Sequence, residues 1–307
     1  MIVGRVLRRV LGGSRYARAV SVYSALRWRG RLRRQYREEV RSCVESGSTP
    51  VLVYQMAKVG SSTVTWALRE IDGLHVFQVH LLHPENLRRL RAALRERGRR
   101  LARLQSDMDV RGAVFYKGLI KSGLKAKVIT LVREPIGRNC SFYFQNLDIL
   151  WQTADAHERV EVSRLAGEYL DRFDHRGGIK WFDREFKPVL GVDIYEHPFP
   201  HDKGYARVTD DRYDILVLRS DLDDSLKKNC IEEFLGIEGL SLAPKNVGSR
   251  KPYAPVYREF LDALELPESY VDEMLDSKYT RHFFSPDEIA ALRARWLGRN
   301  GAGNQHS

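Results

Sequence analysis

The sequence predicts an α/β fold: a doubly wound, mainly parallel sheet with a helical C-terminal part. Short apolar runs rich in β-branched residues recur along the chain, VLVYQ from Val51, LHVFQV from Leu74, KVITLV from Lys127 and YDILVL from Tyr213, and such runs are the composition of strands buried on both faces. Helical signals fall between them, at 62–71, over a long basic stretch at 84–104, and at 135–150, where Pro135 takes a first helical position. Strands separated by helices argue for parallel pairing. Ile231 to Leu235 belong to a helix after the last strand, and Ser285-Pro286-Asp287-Glu288 has the N-cap, N1 proline and N3 acid of a capping box.

Length and composition narrow the class. The chain has 307 residues, 43% of them hydrophobic, enough to bury a core. No run approaches the ~20 apolar residues of a membrane helix, and no secretory signal core is present, so a cytoplasmic protein, at the inner face of a membrane, is expected. Cys43, Cys140 and Cys230 are widely spaced and match neither a disulfide framework nor a metal motif; reduced, structural thiols are expected. Absence of HExxH and of an acidic cluster predicts no metal.

Charge divides the chain. Net charge is +11, yet residues 1–50 hold twelve arginines against three glutamates and residues 88–103 hold eight against one, leaving a mildly acidic remainder. The simplest partition is a basic helical extension at 1–49, one α/β domain at 50–299 and a disordered tail at 300–307. Val3, Val6, Leu7 and Val10 share a helix face flanked by Arg5, Arg8 and Arg9, up to a break at Gly12–Gly13. Such an amphipathic basic segment suits peripheral contact of residues 1–37 with an anionic membrane, and also suits a targeting segment. No nucleic acid partner is expected. For 88–103, leucines near helical spacing also fit a solvated helix face.

The candidate chemistry begins at AKVGSST, after the first strand. A triphosphate-binding loop reads GxxxxGK[ST]; here Lys58 precedes Gly60 instead of following a glycine. Gly60 lets the backbone approach an anion, and Ser61, Ser62 and Thr63 sit where a helix N-terminus favours negative charge. Lys58 enters from the strand side, which suits a nucleotide whose 5′ side carries one phosphate and a leaving group. After a later strand, VREPIGRNCSFYF supplies Arg133 and, three apart on one helix face, Arg138 and Ser141, a clamp for a dianionic phosphate. Histidine is the natural base for a hydroxyl acceptor: His80 ends the second strand, and His83 is the alternative. Glu134 beside the clamp is an acid or an ion-pair partner.

These residues resemble sulfotransferases. AKVGSST is similar to their 5′-phosphosulfate-binding loop of the PKxGTTW kind, with Gln55-Met56-Ala57 in place of the leading proline. VREPIGRNCSFYF is similar to the 3′-phosphate motif RxPxxRxxSxY, with Tyr143 in the last position. The segments WFDREFKPVLGVDIYEHPF, DKGYARV, NVGSRKPYAPVY and SKYTRHFFSPDEI resemble bacterial capsular polysaccharide synthesis proteins named for an Asn-Lys-Trp-Tyr-Ser signature, from which Lys251-Pro252-Tyr253-Ala254 departs. The resemblance implies 3′-phosphoadenosine 5′-phosphosulfate as co-substrate and a glycan or glycolipid hydroxyl as acceptor. It also implies catalytic roles for Lys58 and His80, and a late loop, Asn246, Gly248, Ser249, Arg250 and Lys251, that closes on the 3′-phosphate. Arg219 has a site residue's place after its strand. Tyr279, Arg281 and His282 line an acceptor cleft or pack in an aromatic cluster, and Trp66 and Trp181 are assigned to the core. The competing reading is a non-catalytic relative that binds an anionic membrane or polysaccharide through its arginines; a nucleotide kinase is disfavoured by the missing GK[ST].

Overall fold

Along the chain run α1 (Gly13–Glu45), β1 (Val51–Tyr54), α2 (Ser61–Arg69), β2 (Val76–Val79), α3 (Pro84–Glu96), α4 (Ala102–Phe115), β3 (Ala126–Val132) and α5 (Pro135–Gln145). There follow α6 (Val162–Gly167), β4 (Tyr205–Thr209), β5 (Tyr213–Arg219), α7 (Asp224–Leu235), α8 (Ala254–Ala263), α9 (Glu268–Leu275), α10 (Lys278–Phe283) and α11 (Pro286–Leu297), with shorter helical turns between. This computed structural model describes residues 13–96, 102–242 and 252–298, with side chains from residue 27 onward except 94–106. The amphipathic stretch at 3–10, the late loop at 246–251 and the tail at 300–307 lie outside the described residues.

The four apolar runs became the four parallel strands. The sheet order is β2-β1-β3-β5-β4, with only β4 antiparallel. Every residue of β1 is buried, as are all but one in each of β3 and β5, which is why their sequences read as unbroken apolar runs. β4, YARVT, buries only Val208. It is an edge strand held by its partner, with Arg207 forking onto Asp214 at 2.7 and 2.6 Å, and it has no pattern a sequence reading could find. Register pairs Val53 with Ile129 and Val132 with Arg219, so the carboxyl ends of β1, β3 and β5 reach one edge of the sheet.

The chain divides into two compact units: residues 1–47 with 81–124, and residues 48–80 with 125–307. The first boundary falls where the composition changes. Residues 81–124, however, which the sequence places in the α/β domain, join the N-terminal helix. Side chains explain this. On α1, Leu32, Tyr36, Val40 and Cys43 are buried at three- and four-residue spacing, one helical stripe, and Tyr36 meets Phe115 edge-on at 5.4 Å. The Asp109 carboxylate, fully buried on α4, pairs with both Arg29 and Arg91. The predicted helix at 84–104 is two helices, and 135–150 breaks at Asn146.

The second unit holds the sheet and an aromatic core in which Tyr143, Phe144, Tyr169, Phe173 and Phe260 touch one another. All three cysteines are buried and none forms a disulfide among the described residues, and the capping box of α11 forms as its sequence indicates. Trp181 is buried, but Trp66 is 38% exposed on α2 and is no core residue: it lies on the face of that helix turned away from buried Val64, Ala67 and Leu68. Among the described residues no helix is long and apolar enough to cross a membrane.

Buried His175 accepts from the Tyr270 hydroxyl at Nδ1 (2.8 Å) and donates from Nε2 to the Tyr169 carbonyl (3.1 Å). Burial lowers its pKa from 6.5 to about 4. The folded value lies below the unfolded one, so as pH falls below about 6.5 the unfolded chain takes up the proton first, and stability drops by about 3 kcal/mol in all before pH 4. Urea midpoints measured from pH 7.5 to 4 are expected to show this loss, and His175→Gln to flatten it; an equal slope in the variant would rule out His175 as its source.

Candidate functional site

Six residues link β1 to α2, and two of them hold left-handed backbone: Gly60 at φ 84° and, without glycine's freedom, Lys58 at φ 74°. A lysine there stores about 1 kcal/mol of strain, the kind that persists where surrounding contacts impose it. Gly60 is the N-cap of α2 and offers no side chain to it, so the amides of the first turn face the loop as an anion site would require. Ser61 is buried and its hydroxyl accepts from Gln78 at 3.2 Å, while Ser62 and Thr63 are half-buried beside it.

Arg133 and Arg138 meet this loop across 75 and 81 residues of sequence. Arg133 donates from Nη1 to the Lys58 carbonyl (3.2 Å) and Arg138 from Nε to the Ala57 carbonyl (3.0 Å). Arg138, 7% exposed, also donates to Asn139 Oδ1 at 2.9 Å and lies 4.9 Å over the Phe142 ring. Burial, joined by the like charge of Arg133, lowers its pKa to about 10. Among the described residues no carboxylate comes within ion-pair distance of either guanidinium, although Arg133 lies within electrostatic reach of the neighbouring Glu134 carboxylate. Arg219 is the contrast: it bridges Asp221 (2.6 Å) and Glu288 (2.5 Å) over the ring of Phe284. Burial works against its charge, but those two carboxylates raise its pKa overall, and the residue ties β5 to α11.

Three further candidates have structural employment. Glu134 caps α5, accepting from Gly137 N at 2.7 Å and Ile136 N at 3.0 Å; burial raises its pKa against the pull of Arg133, and among the described residues it forms no ion pair. Tyr143 is core, bonded to the Leu165 carbonyl and to Trp151. His282 packs on Phe283, and burial lowers its pKa to about 4. Ser141 is half-buried on α5, three residues beyond Arg138, and Arg281 is exposed.

His80 stands at the end of β2 with Nδ1 2.8 Å from the Gln55 carbonyl. A carbonyl only accepts, so Nδ1 carries the proton and Nε2 is the basic nitrogen. Trp181 fixes the same residue by donating to its carbonyl at 3.1 Å. His83 belongs to the other unit. Ser249 and Arg250 lie outside the described residues, among which no group of three or more His, Cys, Asp or Glu could hold a metal.

Two residues contribute in ways the sequence reading did not assign. Tyr279 is buried, and its hydroxyl accepts from the Arg133 N–H (3.0 Å) and donates to the Arg133 carbonyl (2.8 Å), pinning the main chain that aims the guanidinium. Tyr279→Phe is expected to cost about 2 kcal/mol in chemical denaturation, since two main-chain groups lose their partner; a loss under about 0.5 kcal/mol would show that water replaces the hydroxyl. Gln55 is fully buried, and among the described residues neither end of its amide finds a hydrogen-bond partner. Its only signal was a polar residue closing an apolar run.

Residues 165–285, 121 of the 307, match the model of a family described as "Putative capsular polysaccharide synthesis protein". The matched stretch holds Trp181, Arg219 and Tyr279 but not the loop at 55–60, Arg133 or Arg138. No curated protein and no solved structure matches the chain.

Proposed function

We propose that a chain with this family likeness is a sulfotransferase, moving a sulfuryl group from 3′-phosphoadenosine 5′-phosphosulfate to a hydroxyl of a carbohydrate or glycolipid in the synthesis of a capsular or other cell-surface polysaccharide. One observation carries the reading: two guanidiniums that form no ion pair among the described residues bond to the main chain of a left-handed Lys-x-Gly loop at a helix N-terminus. A donor with phosphate at 3′ and phosphosulfate at 5′ needs two neighbouring anion sites, and in this reading the loop with Ser61, Ser62 and Thr63 takes the second while Arg133, Arg138 and Ser141 take the first. Ser249 and Arg250 would complete the 3′ side. The sheet is then a doubly wound one with its ligand at the carboxyl ends of the strands.

The chemistry is an in-line displacement. The acceptor oxygen forms a bond to sulfur as the bond from sulfur to the bridging oxygen of the donor breaks, releasing adenosine 3′,5′-bisphosphate. His80 Nε2 takes the hydroxyl proton, and the Lys58 ammonium neutralises charge on the departing oxygen. Positioning and charge stabilisation supply most of the acceleration, as in phosphoryl transfer. The family description supports the polysaccharide side of the proposal.

Calorimetry with adenosine 3′,5′-bisphosphate and with ATP tests it. Binding of the bisphosphate in preference to ATP is expected; equal binding, or none of either, overturns it. A second reading rests on the fact that both guanidiniums already donate to main-chain carbonyls, as braces do: a non-catalytic relative, which would give no heat with the bisphosphate.

A further inference from the structure

The two basic stretches, separated by some forty residues of sequence, belong to one compact unit. Residues 1–47 carry twelve arginines and three glutamates, +9; residues 81–124 carry nine arginines and two lysines against two glutamates and two aspartates, +7. This unit therefore holds +16, and the rest of the +11 chain is −5. Such an imbalance is not needed to hold the unit together, because its packing face is made by Leu32, Tyr36, Val40 and Cys43 and, among the described residues, its buried acid Asp109 pairs with Arg29 and Arg91.

Part of the surplus is displayed on α1. Arg31, Arg34 and Arg37 follow one another at three-residue spacing on the side opposite the buried stripe, Arg33 stands beside them, and all four are exposed. None of the four forms an ion pair among the described residues, whereas Arg41 is neutralised by Glu38. Trp28, 38% exposed, sits one turn before this row.

We propose that this face of α1 docks the protein on an anionic phospholipid membrane. The charge alone would suit any polyanion. A lipid surface is chosen because the same helix exposes an indole, the side chain that settles at the level of lipid headgroups, and because the sequence before it interleaves Val3, Val6, Leu7 and Val10 with Arg5, Arg8 and Arg9, apolar groups for which a nucleic acid or a polyanionic glycan offers no environment. Arginines near an acidic bilayer each add about fivefold in affinity, and the effect decays within a Debye length. The inference is independent of sulfuryl transfer.

The full-length protein, co-sedimented with phosphatidylcholine vesicles and with vesicles that also contain phosphatidylglycerol, is expected to pellet only with the second, and less so as salt rises. Arg31→Glu/Arg34→Glu/Arg37→Glu should lower the partition coefficient by roughly a hundredfold or more. Circular dichroism melting checks that this triple variant folds, and Arg31→Gln/Arg34→Gln/Arg37→Gln serves if it does not, with a fall of similar order. Equal pelleting with both vesicle types, an undiminished partition in a folded variant, or binding to duplex DNA or a sulfated glycan without binding to either vesicle would each overturn the proposal.

Discussion

Arg138→Met is expected to leave the ligand-free protein within about 1 kcal/mol of wild type while removing all stabilisation by adenosine 3′,5′-bisphosphate. Two opposing effects of similar size produce this. Burial pulls the guanidinium pKa down from its ordinary value to about 10, so the fold bears about 3 kcal/mol for keeping that charge, and methionine removes the penalty while filling much of the volume. Against this, the Ala57 carbonyl and Asn139 Oδ1 lose a charged donor, at about 1.5 kcal/mol each. An anion changes the balance in the wild type only, since it supplies the missing counter-charge: at a hundredfold excess over Kd it adds about 2.7 kcal/mol. Arg219→Met is the control. There the loss removes charged hydrogen bonds to Asp221 and Glu288, whose carboxylates stay in reach of water, and a cost of about 2 kcal/mol with no dependence on bisphosphate is expected. Urea denaturation of the three proteins with and without bisphosphate decides the matter. If Arg138→Met loses several kcal/mol, or still gains from the ligand, Arg138 is a brace and not an anion site.

Lys58→Gly and Lys58→Ala separate the backbone of that residue from its ammonium group. Both variants remove the charge, and under sulfuryl transfer both should lose about a hundred- to a thousandfold in turnover, the usual consequence of deleting one group that stabilises developing charge. Their stabilities should differ. At φ 74° alanine keeps the steric conflict of an L-residue and glycine escapes it, so the glycine variant is expected to be the more stable by about 1 kcal/mol. Turnover is read with radiolabelled donor and cell-envelope glycans, stability by denaturation. Retained turnover in either variant removes Lys58 from the mechanism, whereas equal stabilities would mean that the left-handed backbone is not occupied in solution.

Much of the sheet was legible because its strands are buried on both faces, and burial leaves a composition: VLVY, KVITLV and YDILVL each read as strands before any contact is known. The ends of α5 and α11 were legible for a similar reason, since Pro135 and the Ser285–Glu288 box act within one helical turn. β4 had no such mark, because one buried residue in five does not make a pattern. Trp66 was assigned inward on its residue type, yet what decides its exposure is which face of α2 meets the sheet.

What the sequence by itself determined is local: where strands and helices start, that a lysine precedes a glycine at a helix N-terminus, and that arginines crowd two stretches. Only the tertiary structure decided which of those groups meet. It brought Arg133 and Arg138 onto the carbonyls of residues 57 and 58, set Tyr279 against Arg133 across 146 positions, tied up Arg219 with two carboxylates, and gathered both basic stretches into one unit. The physical reason is range. Steric and hydrogen-bonding preferences act over a few residues, whereas the pairing or isolation of a charge depends on how distant segments share buried surface, and no spacing along the chain records that.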